Sequence, residues 1–302
     1  MNIKFNRIGQ IFDPKQFQIN GEILSHAANP VVIKVERSIF RIFFNSRDKK
    51  QRSSVYSIDF DLNTLRIIPG TLKVQFLLNS TDSYFKDGVS LGSHFELDGV
   101  NWVGFMGWIN PSVKHWYGTI GKFQLNDNFN FERIEENPWF DLDNDDQTSL
   151  SYPAVYTSNN TMHVWYGTTL AWDGGNGEMV HILKEKISKD YVRFESTNRV
   201  VEWKMGESQA FSRPSILQIS DHFLMAYSVR GNKTKYRIGF GLIEDYSSIV
   251  KQICTFSTST SKWESEMVEY PYLVSHGDSI FMFYNGNDYG KSGIGLAQLV
   301  IT

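Results

Sequence analysis

The sequence predicts an all-β fold, a five-bladed β-propeller whose single domain spans residues 1–302. Two observations support this prediction. A short proline-led motif recurs along the chain, as "ANPVVIKV", "SYPAVYTS", "SRPSILQI" and "EYPYLVSH". Each copy is followed by two further runs that are rich in aromatic and β-branched residues and bounded by Gly, Asn, Asp or Ser, which is typical of antiparallel strands.

The spacing of the motif predicts the number of copies. Its prolines are Pro30, Pro153, Pro214 and Pro271. The intervals between them are therefore 123, 61 and 57 residues. Because the first interval is about twice the others, we expect a degenerate copy near residue 91, with Ser90 and Leu91 at the proline position. Five copies of roughly 60 residues in a chain with few helical patterns are typical of propeller blades around an axis.

Each copy supplies the strands of one predicted blade. The second runs are "IFRIFFNSR", "NWVGFMGW", "TMHVWYGT", "HFLMAYSVR" and "SIFMFYNGN". The third runs are "RSSVYSIDFD", "YGTIGKFQLN", "EMVHILKEKIS", "KYRIGFGLIED" and "KSGIGLAQLV". The last copy has only three such runs, so we expect the N-terminal "NIKFNRI" to close the ring as the outer strand of the last blade and to cover its open edge. Two packed β-sandwich domains are the alternative, and they fit the regular spacing less well.

Composition limits the classes of binding partner and the locations that we expect for the protein. The net charge of −3 gives no case for a nucleic acid partner. A single cysteine, Cys254, excludes an internal disulfide. The start of the chain has no apolar signal-peptide region, and no stretch approaches the roughly 18 to 20 apolar residues that cross a bilayer. We therefore expect no membrane span and a cytoplasmic location.

A propeller gathers distant residues at one mouth of its central channel. The starts of the innermost strands, the ends of the second strands and the incoming loops lie on the same face. A concave polar and aromatic site there suits a sugar or another small polar ligand. The predicted substrate-binding residues are His26, Asn29, Arg47, Arg52, Trp108, Tyr152, Arg213, Arg230, Trp263, Glu266, Tyr270 and Asn287.

Structural roles compete with these predictions. Trp165, Tyr166 and Phe283 of the second strands are expected to pack between blades, and a turn is the alternative role for Asn287. We favour a functional role for Arg213, because a charge buried near the axis needs a partner. The arginines indicate an anionic ligand, such as a nucleotide-sugar, phosphate or an acidic sugar, unless they pair with acidic residues and are structural.

Several motifs resemble a known family. They are "SHAANP", "FFNSRD", "FKDGVS", "SRPSIL", "YRIGFG", "WESEM", "YPYLV" and "YNGNDYGKSGIGLA". From about His26 to Ala297, the chain resembles glycosidase-like proteins of bacterial surface-polysaccharide gene clusters, which are similar to the five-bladed propellers of the arabinanase, levansucrase and invertase superfamily and of the β-mannoside phosphorylases. The resemblance implies a carbohydrate-active site at the channel mouth.

The resemblance also implies a change of mechanism. Arabinanase-like enzymes carry an aspartate before the first-blade proline as catalytic base, and this chain carries Asn29 there. An amide cannot accept a proton from water at neutral pH, so the base lies elsewhere or hydrolysis is lost. Related propellers use phosphate as the acceptor or transfer sugars from nucleotide donors.

Glycoside cleavage generally uses two carboxyl groups that flank the scissile bond. We predict Asp87 and Glu207 as the first choice, with Glu264 next and Asp48 as a further candidate. No cofactor is expected. A Ca²⁺ ion at "DLDNDDQ", residues 141–147, is a weaker alternative to a solvated acidic loop.

The predicted function is that of a carbohydrate-active enzyme: a glycosidase, phosphorylase or glycosyltransferase that acts on a glycan or activated sugar in bacterial surface-polysaccharide metabolism. The alternative is a non-catalytic glycan-binding propeller.

Overall fold

The computed structural model describes residues 1–302 apart from 20–21, 24, 80–82, 113, 173–178, 205–209 and 245–246, and for 18–19 and 22–23 it describes the backbone only. The described chain consists of β-strands, turns and two short 3-10 helices, Pro14–Gln16 and Lys262–Glu264. The all-β prediction is confirmed. Among the described residues, no helix is long and apolar enough to pass through a lipid bilayer.

The first strands include an N-terminal strand, a hairpin and one meander. They are β1 (Ile3–Phe12), the hairpin of β2 (Gln18–Ile19) and β3 (Glu22–Ile23), and the first meander of β4 (Ala28–Glu36), β5 (Ile39–Arg47) and β6 (Ser53–Asp61). Two short strands, β7 (Arg66–Ile67) and β8 (Lys73–Phe76), pair with the outer edge of β6. The second meander contains β9 (Gly88–Leu97), β10 (Val100–Ile109), β11 (Tyr117–Leu125) and β12 (Phe131–Ile134).

The later meanders repeat this arrangement. The third contains β13 (Leu150–Ser158), β14 (Thr161–Trp172), β15 (Met179–Ser188) and β16 (Glu195–Val201). The fourth contains β17 (Ala210–Ile219), β18 (His222–Arg230), β19 (Arg237–Ile243) and β21 (Gln252–Phe256), while β20 (Ile249–Val250) pairs with β16. The fifth contains β22 (Glu269–His276), β23 (Ser279–Asn285) and β24 (Ile294–Ile301).

The N-terminal strand completes the fifth meander. Strand β1 pairs antiparallel with β24, from Ile3 opposite Ile301 to Phe12 opposite Ile294. The order of this sheet is β1-β24-β23-β22, so β1 covers the edge that β24 would otherwise expose. The prediction that the N-terminal segment becomes the outer strand of the last sheet is confirmed.

The innermost strands of the meanders contact one another in cyclic order. Strand β4 contacts β9, β9 contacts β13, β13 contacts β17, β17 contacts β22, and β22 contacts β4. An amide side chain joins adjacent meanders by forming hydrogen bonds with backbone groups of the next meander. Asn285 of β23 donates to the carbonyl of Ala27 at 2.7 Å and accepts from the amide of Asn29 at 2.9 Å, which ties the fifth meander to the first.

Apolar side chains fill the space between adjacent meanders. Trp165 and Phe283 are completely buried, and Tyr166 is 1% exposed. Phe283 belongs to a core shared by the first, second and fifth meanders, and Trp165 to a core between the third and the fourth. These placements agree with the packing roles expected for the second strands.

The proline-led motif forms a β-bulge in four of the innermost strands. In β4, β13, β17 and β22, the residue before the proline and the proline itself face a single residue of the neighbouring strand. The residue before the proline is left-handed each time: φ is 53° at Asn29, 41° at Tyr152, 53° at Arg213 and 53° at Tyr270. This conformation is uncommon for residues other than glycine.

The second meander departs from the predicted alignment. Ser90 and Leu91 pair regularly with Met106 and Phe105, and the bulge falls at Gly92 and Ser93, two residues beyond the expected position. A Cβ atom on Gly92 would clash with the backbone of Pro153 in the next meander. The degenerate copy is therefore a glycine site that accommodates the proline of its neighbour.

Candidate functional site

The left-handed residues of different meanders meet near the axis of the ring. The rings of Tyr152 in β13 and Tyr270 in β22 lie 5.7 Å apart, centre to centre, and their side chains share a hydrogen bond. Burial is the main cause of a raised pKa at both phenols. The bulges thus bring together side chains from meanders that are far apart in sequence.

Glu269, next to this tyrosine pair, is the most unusual residue of the site. It is completely buried, and among the described residues neither carboxyl oxygen has a hydrogen-bond partner of ordinary geometry, although the backbone amide of Tyr289 lies close enough to act on the group. Burial raises its pKa well above the ordinary value, and the charges of Arg47 and Arg230 and the Tyr289 backbone amide oppose the shift only in part. A buried carboxyl group with a raised pKa holds its proton more tightly than an ordinary glutamic acid does, and is suited to general acid catalysis.

Cationic side chains surround this carboxyl group. Arg47 and Arg230 end the second strands of the first and fourth meanders, and both guanidinium groups act on Glu269. The guanidinium carbon of Arg230 lies 5.4 Å from the ring centre of Tyr236, so this arginine is held against an aromatic face. Two guanidinium groups beside a carboxyl group that burial disposes to stay protonated form a positive pocket suited to an anion.

His26 lies at the same mouth in its neutral form. It is 7% exposed, and its Nδ1 is 2.9 Å from the Ser25 hydroxyl. Burial and the charges of Arg47 and Lys291 lower its pKa to about 4. At neutral pH the imidazole therefore adds no charge to those of the arginine and the lysine.

Arg213 forms part of the floor of the site. It is completely buried; Nη2 donates to the carbonyl of Pro30 at 2.6 Å, and Nη1 donates to the carbonyl of Gly92. Burial lowers its pKa to about 10, so the group stays charged. Its contacts brace three meanders, which favours a structural role for a residue whose functional role was predicted.

Buried polar atoms without a hydrogen-bond partner collect at these strand starts. Among the described residues, they include Asn29 Oδ1, Ser212 Oγ, Arg213 Nε and both carboxyl oxygens of Glu269. Buried polar atoms in folded proteins are almost always satisfied by protein, water or a ligand. This concentration of unsatisfied atoms indicates a place for a polar ligand or for ordered water.

The wall beside Tyr152 is held by a buried histidine. His181 bridges the hydroxyls of Ser151 and Thr169, with Nε2 2.6 Å from the first and Nδ1 2.9 Å from the second. Burial is the main cause of its pKa falling to about 3, so it is neutral. Both ring nitrogens of His181 are already taken up by these hydroxyls, which indicates a positioning role.

Two predicted acids at this face have partners of their own. Asp48 forms an ion pair with Arg52 of the same turn, with 2.8 Å between the carboxylate oxygen and Nη2. Burial acts to raise the Asp48 pKa, but hydrogen bonds from Arg52 and Lys50 outweigh it and lower the pKa. Asp87 accepts a hydrogen bond of 2.7 Å from the amide of Asn110, which fixes the loop after β10.

Trp108 stands beside Asp87 in the second meander. It is partly exposed, its backbone carbonyl accepts from the Asp87 amide at 3.2 Å, and its indole covers Gly88. It keeps an aromatic surface at the end of β10.

Four other predicted residues belong to the loop before β22 and its anchor. Glu264 is 2% exposed, and its carboxylate lies 2.5 Å from Arg7 of β1 and 2.8 Å from the Tyr284 hydroxyl. The Trp263 ring packs over Gly286 and Gly295. These contacts hold the N-terminal strand and the loop in place, which favours structural roles for Glu264 and Trp263.

The other two predicted residues here, Asn287 and Glu266, also have partners within the protein. Asn287 accepts hydrogen bonds from the amides of Glu266 and Met267 at 2.9 and 3.1 Å, in agreement with the turn alternative. Glu266 is exposed and pairs with Lys235. Glu207 lies outside the described residues.

The acidic segment 141–147 is tied to lysines. Asp143 lies 2.7 Å from Lys186, and the buried Asp146 lies 2.8 Å from Lys184. Among the described residues, no cluster of three or more His, Cys, Asp or Glu side chains has a geometry that suits a metal ion.

The sequence places Glu269 at a strand start on the face of the mouth but does not assign it a role, although the motif contains a signal for one. At the position of Glu269, the other proline-led copies have Ala28, Ser151 and Ser212. All three are small and buried. A glutamate where equivalent strands need small residues marks the one copy with a different task. Tyr236 and Tyr289, which line the mouth beside it, carry no such signal.

The comparisons with known proteins agree with this architecture. No protein-family model matches the chain. Two Mycobacterium tuberculosis proteins, uncharacterized protein MT1551 of strain CDC 1551 / Oshkosh and uncharacterized protein Rv1502 of strain ATCC 25618 / H37Rv, are each 33% identical to it over 303 residues, which covers 98% of this chain and 99% of theirs.

Solved structures show the same fold at low sequence identity. A glycoside hydrolase matches with a TM-score of 0.75 at 14% identity, over 97% of this chain and 90% of that one. The β-1,2-mannobiose phosphorylase from Listeria innocua, in complex with β-1,2-mannobiose, matches with a TM-score of 0.71 at 12% identity, over 99% and 96%. The α-L-arabinofuranosidase PaAbf62A from Podospora anserina, in complex with cellotriose, matches with a TM-score of 0.66 at 9% identity, over 97% and 95%.

These likenesses confirm the predicted resemblance to glycosidase-like β-propellers at the level of the fold. The chain belongs to the family of the uncharacterized Mycobacterium tuberculosis proteins MT1551 and Rv1502, and its fold is that of a glycosidase-like β-propeller.

Proposed function

We propose that this protein is a carbohydrate-active enzyme, a glycosidase, phosphorylase or glycosyltransferase, that acts at the mouth of the ring on a glycan or an activated sugar. The observation that carries the proposal is Glu269, a fully buried carboxyl group with a raised pKa beside two arginines. The proposal includes a single five-bladed domain over residues 1–302, built from the five meanders. It also includes a cytoplasmic role in surface-polysaccharide metabolism, which the sequence resemblance supports.

Glu269 is the general acid of the proposed reaction. Its raised pKa favours the protonated form of the carboxyl group, and in the reaction the proton moves to the oxygen that leaves the anomeric carbon. As that carbon–oxygen bond breaks, an oxygen of the acceptor forms the new bond to the same carbon. The guanidinium groups of Arg47 and Arg230 bind an anionic group of the donor or acceptor.

The residues at the predicted base positions indicate which acceptor the reaction uses. Asn29 cannot activate water, Asp48 is paired with Arg52, and Asp87 caps a loop. Asp288, an exposed carboxylate whose charge acts on Glu269, is the residue on which hydrolysis would depend. The two arginines favour an anionic ligand instead: a nucleotide-sugar, inorganic phosphate or an acidic sugar. Glu207 stays a prediction of the sequence.

A thermal-shift screen tests the ligand class. Purified protein is melted with nucleotide-sugars, inorganic phosphate and neutral oligosaccharides, and each compound that raises the melting temperature is then assayed for turnover. Glu269→Gln keeps the shape of the site but has no proton to give, so binding is expected to remain while turnover falls by about 10² to 10⁴. The exposed Glu266→Gln is the matched control. Equal turnover in wild type and Glu269→Gln would remove the assignment.

A non-catalytic glycan-binding propeller is the second candidate, and the amide of Asn29 at the expected base position favours it. It predicts that wild type binds oligosaccharides yet turns over none of them with water, phosphate or sugar acceptors. Loss of turnover in Glu269→Gln, from a measurable wild-type rate, would rule it out.

A further inference from the structure

The loop between β23 and β24 has an unusual backbone at the mouth of the ring. Asp288, Tyr289 and Gly290 are left-handed in succession, with φ of 59°, 57° and 85°. Two of the three are not glycine, so the conformation is costly and persists only where surrounding contacts impose it. Here those contacts are clear: the amide of Ala27 donates to the Gly290 carbonyl at 2.9 Å, and Gly290 packs against Ala28.

This backbone holds Tyr289 at the rim of the site. The side chain is 43% exposed, whereas Tyr236 beside it is 5% exposed. The two rings meet edge to face, with centres 6.2 Å apart and planes at 79°. The backbone amide of Tyr289 acts on the Glu269 carboxyl group. An exposed aromatic ring is therefore carried by the residue whose backbone amide acts on the buried acid.

We propose that Tyr289 is the platform on which a neutral sugar ring stacks while its glycosidic oxygen faces Glu269. The inference rests on the proposed function and adds a specificity-determining residue to it. Sugar rings present an apolar face of C–H groups, and a tyrosine offers a flat apolar surface with little conformational entropy to lose. The anionic part of the ligand occupies the arginine pocket of Arg47 and Arg230, so ring and charge are recognised by different residues.

Two substitutions separate the ring from its hydroxyl. Tyr289→Phe keeps the flat face, and Tyr289→Leu replaces it with a branched aliphatic chain of smaller surface. Binding is measured by calorimetry with two kinds of probe: the neutral oligosaccharides β-1,2-mannobiose, xylotriose and cellotriose, and inorganic phosphate. We expect Tyr289→Leu to weaken oligosaccharide binding by about three- to tenfold and to leave phosphate binding unchanged. Tyr289→Phe is expected to match wild type for both.

The outcomes distinguish this inference from the function on which it rests. Wild-type protein that binds none of the oligosaccharides would overturn the platform, and wild-type protein that binds neither these probes nor any nucleotide-sugar of the thermal-shift screen would overturn the proposed function as well. Oligosaccharide binding that is equal in wild type and Tyr289→Leu would overturn the platform alone. Equal weakening for oligosaccharide and phosphate would also overturn it, because a general disturbance of the loop, rather than the loss of stacking, would then explain the result. Melting temperatures of both variants accompany the titrations.

Discussion

Glu264 tests whether a buried carboxylate near the mouth is structural or catalytic. The structure gives it three hydrogen-bond donors: Arg7 at 2.5 Å, Tyr284 at 2.8 Å and Ser259 at 2.6 Å. Hydrogen bonds to a charged group contribute roughly 1.5 to 3 kcal/mol each. Arg7 is 27% exposed and recovers water when its partner is lost, so its share falls at the low end.

From these contacts, Glu264→Ala is expected to lower the free energy of unfolding by about 3 to 5 kcal/mol. Glu264→Gln keeps the volume and one acceptor oxygen, so about 1 to 3 kcal/mol is expected. With an unfolding entropy of about 2.1 cal/mol/K per residue, the alanine loss corresponds to a melting temperature lower by about 5 to 8 °C for a chain of this length.

Scanning calorimetry measures the fall in melting temperature. The thermal shift and the turnover with a binding ligand show whether the role of Glu264 is structural or catalytic. Glu266→Ala is the matched control, because this residue lies two positions away but is exposed, and its surface ion pair contributes little. A Glu264→Ala variant that melts within about 1 °C of wild type would refute the energetic argument. A variant that melts as expected but, while still folded, has lost turnover as Glu269→Gln does would refute the structural role.

Three further predictions address the bulges and the buried histidine. In Asn29→Asp, the Nδ2 donor that lies 3.3 Å from Asn45 Oδ1 is replaced by a carboxyl oxygen, so the melting temperature is expected to fall. The fall is expected to be larger at pH 8 than at pH 5, because the ionised carboxylate is repelled by the Asn45 oxygen more strongly than the protonated group is. Equal losses at both pH values would contradict this. In Gly92→Ala, the new Cβ would approach the Pro153 carbonyl oxygen to 2.4 Å, so urea unfolding should show a loss of about 1 to 3 kcal/mol, and an unchanged midpoint would refute the close packing. The pKa of His26 is about 4 in the folded protein, below its value in the unfolded chain, so between these values the unfolded chain binds a proton that the folded protein does not. The free energy of unfolding therefore declines as the pH falls from about 6.5 towards 4, by up to about 1.4 kcal/mol per pH unit. His26→Asn should reduce that slope between pH 7 and pH 5, and an unchanged slope would exclude His26 as its source.

The fold could be predicted because the same sequence motif recurs and forms the same strand arrangement each time. Each proline-led run begins an innermost strand, and the next two runs supply its neighbours, so periodicity alone gives the meanders and the closure by β1. The second copy was misaligned by two residues, because Ser93 replaces the proline there and Gly92 replaces the residue before it. What determines that glycine is Pro153 of another meander, and such a contact is not visible in a local pattern.

The site was predicted less well, because side-chain partners come from remote parts of the chain. Glu264 and Glu269 are five residues apart in "WESEMVEYPY", and both are buried. Only the structure shows that Arg7, from the opposite end of the sequence, neutralises Glu264, whereas in the described part of the chain no side chain forms an ion pair with Glu269. The motif alignment does separate the two acids, because it reveals Glu269 at a position where the other copies have alanine or serine.

The bulges explain how a repeated backbone makes an asymmetric site. A left-handed non-glycine residue costs about 1 to 3 kcal/mol, and a following proline restricts it further. Four such residues recur here, in a class of molecule whose net stability is typically only about 5 to 15 kcal/mol. The repeat holds the same strained geometry each time but supplies an amide, a phenol, a guanidinium and a second phenol. Because the backbone is constant and the side chain alone varies, each copy contributes a different chemical group to one mouth, and the strain is retained where those groups meet.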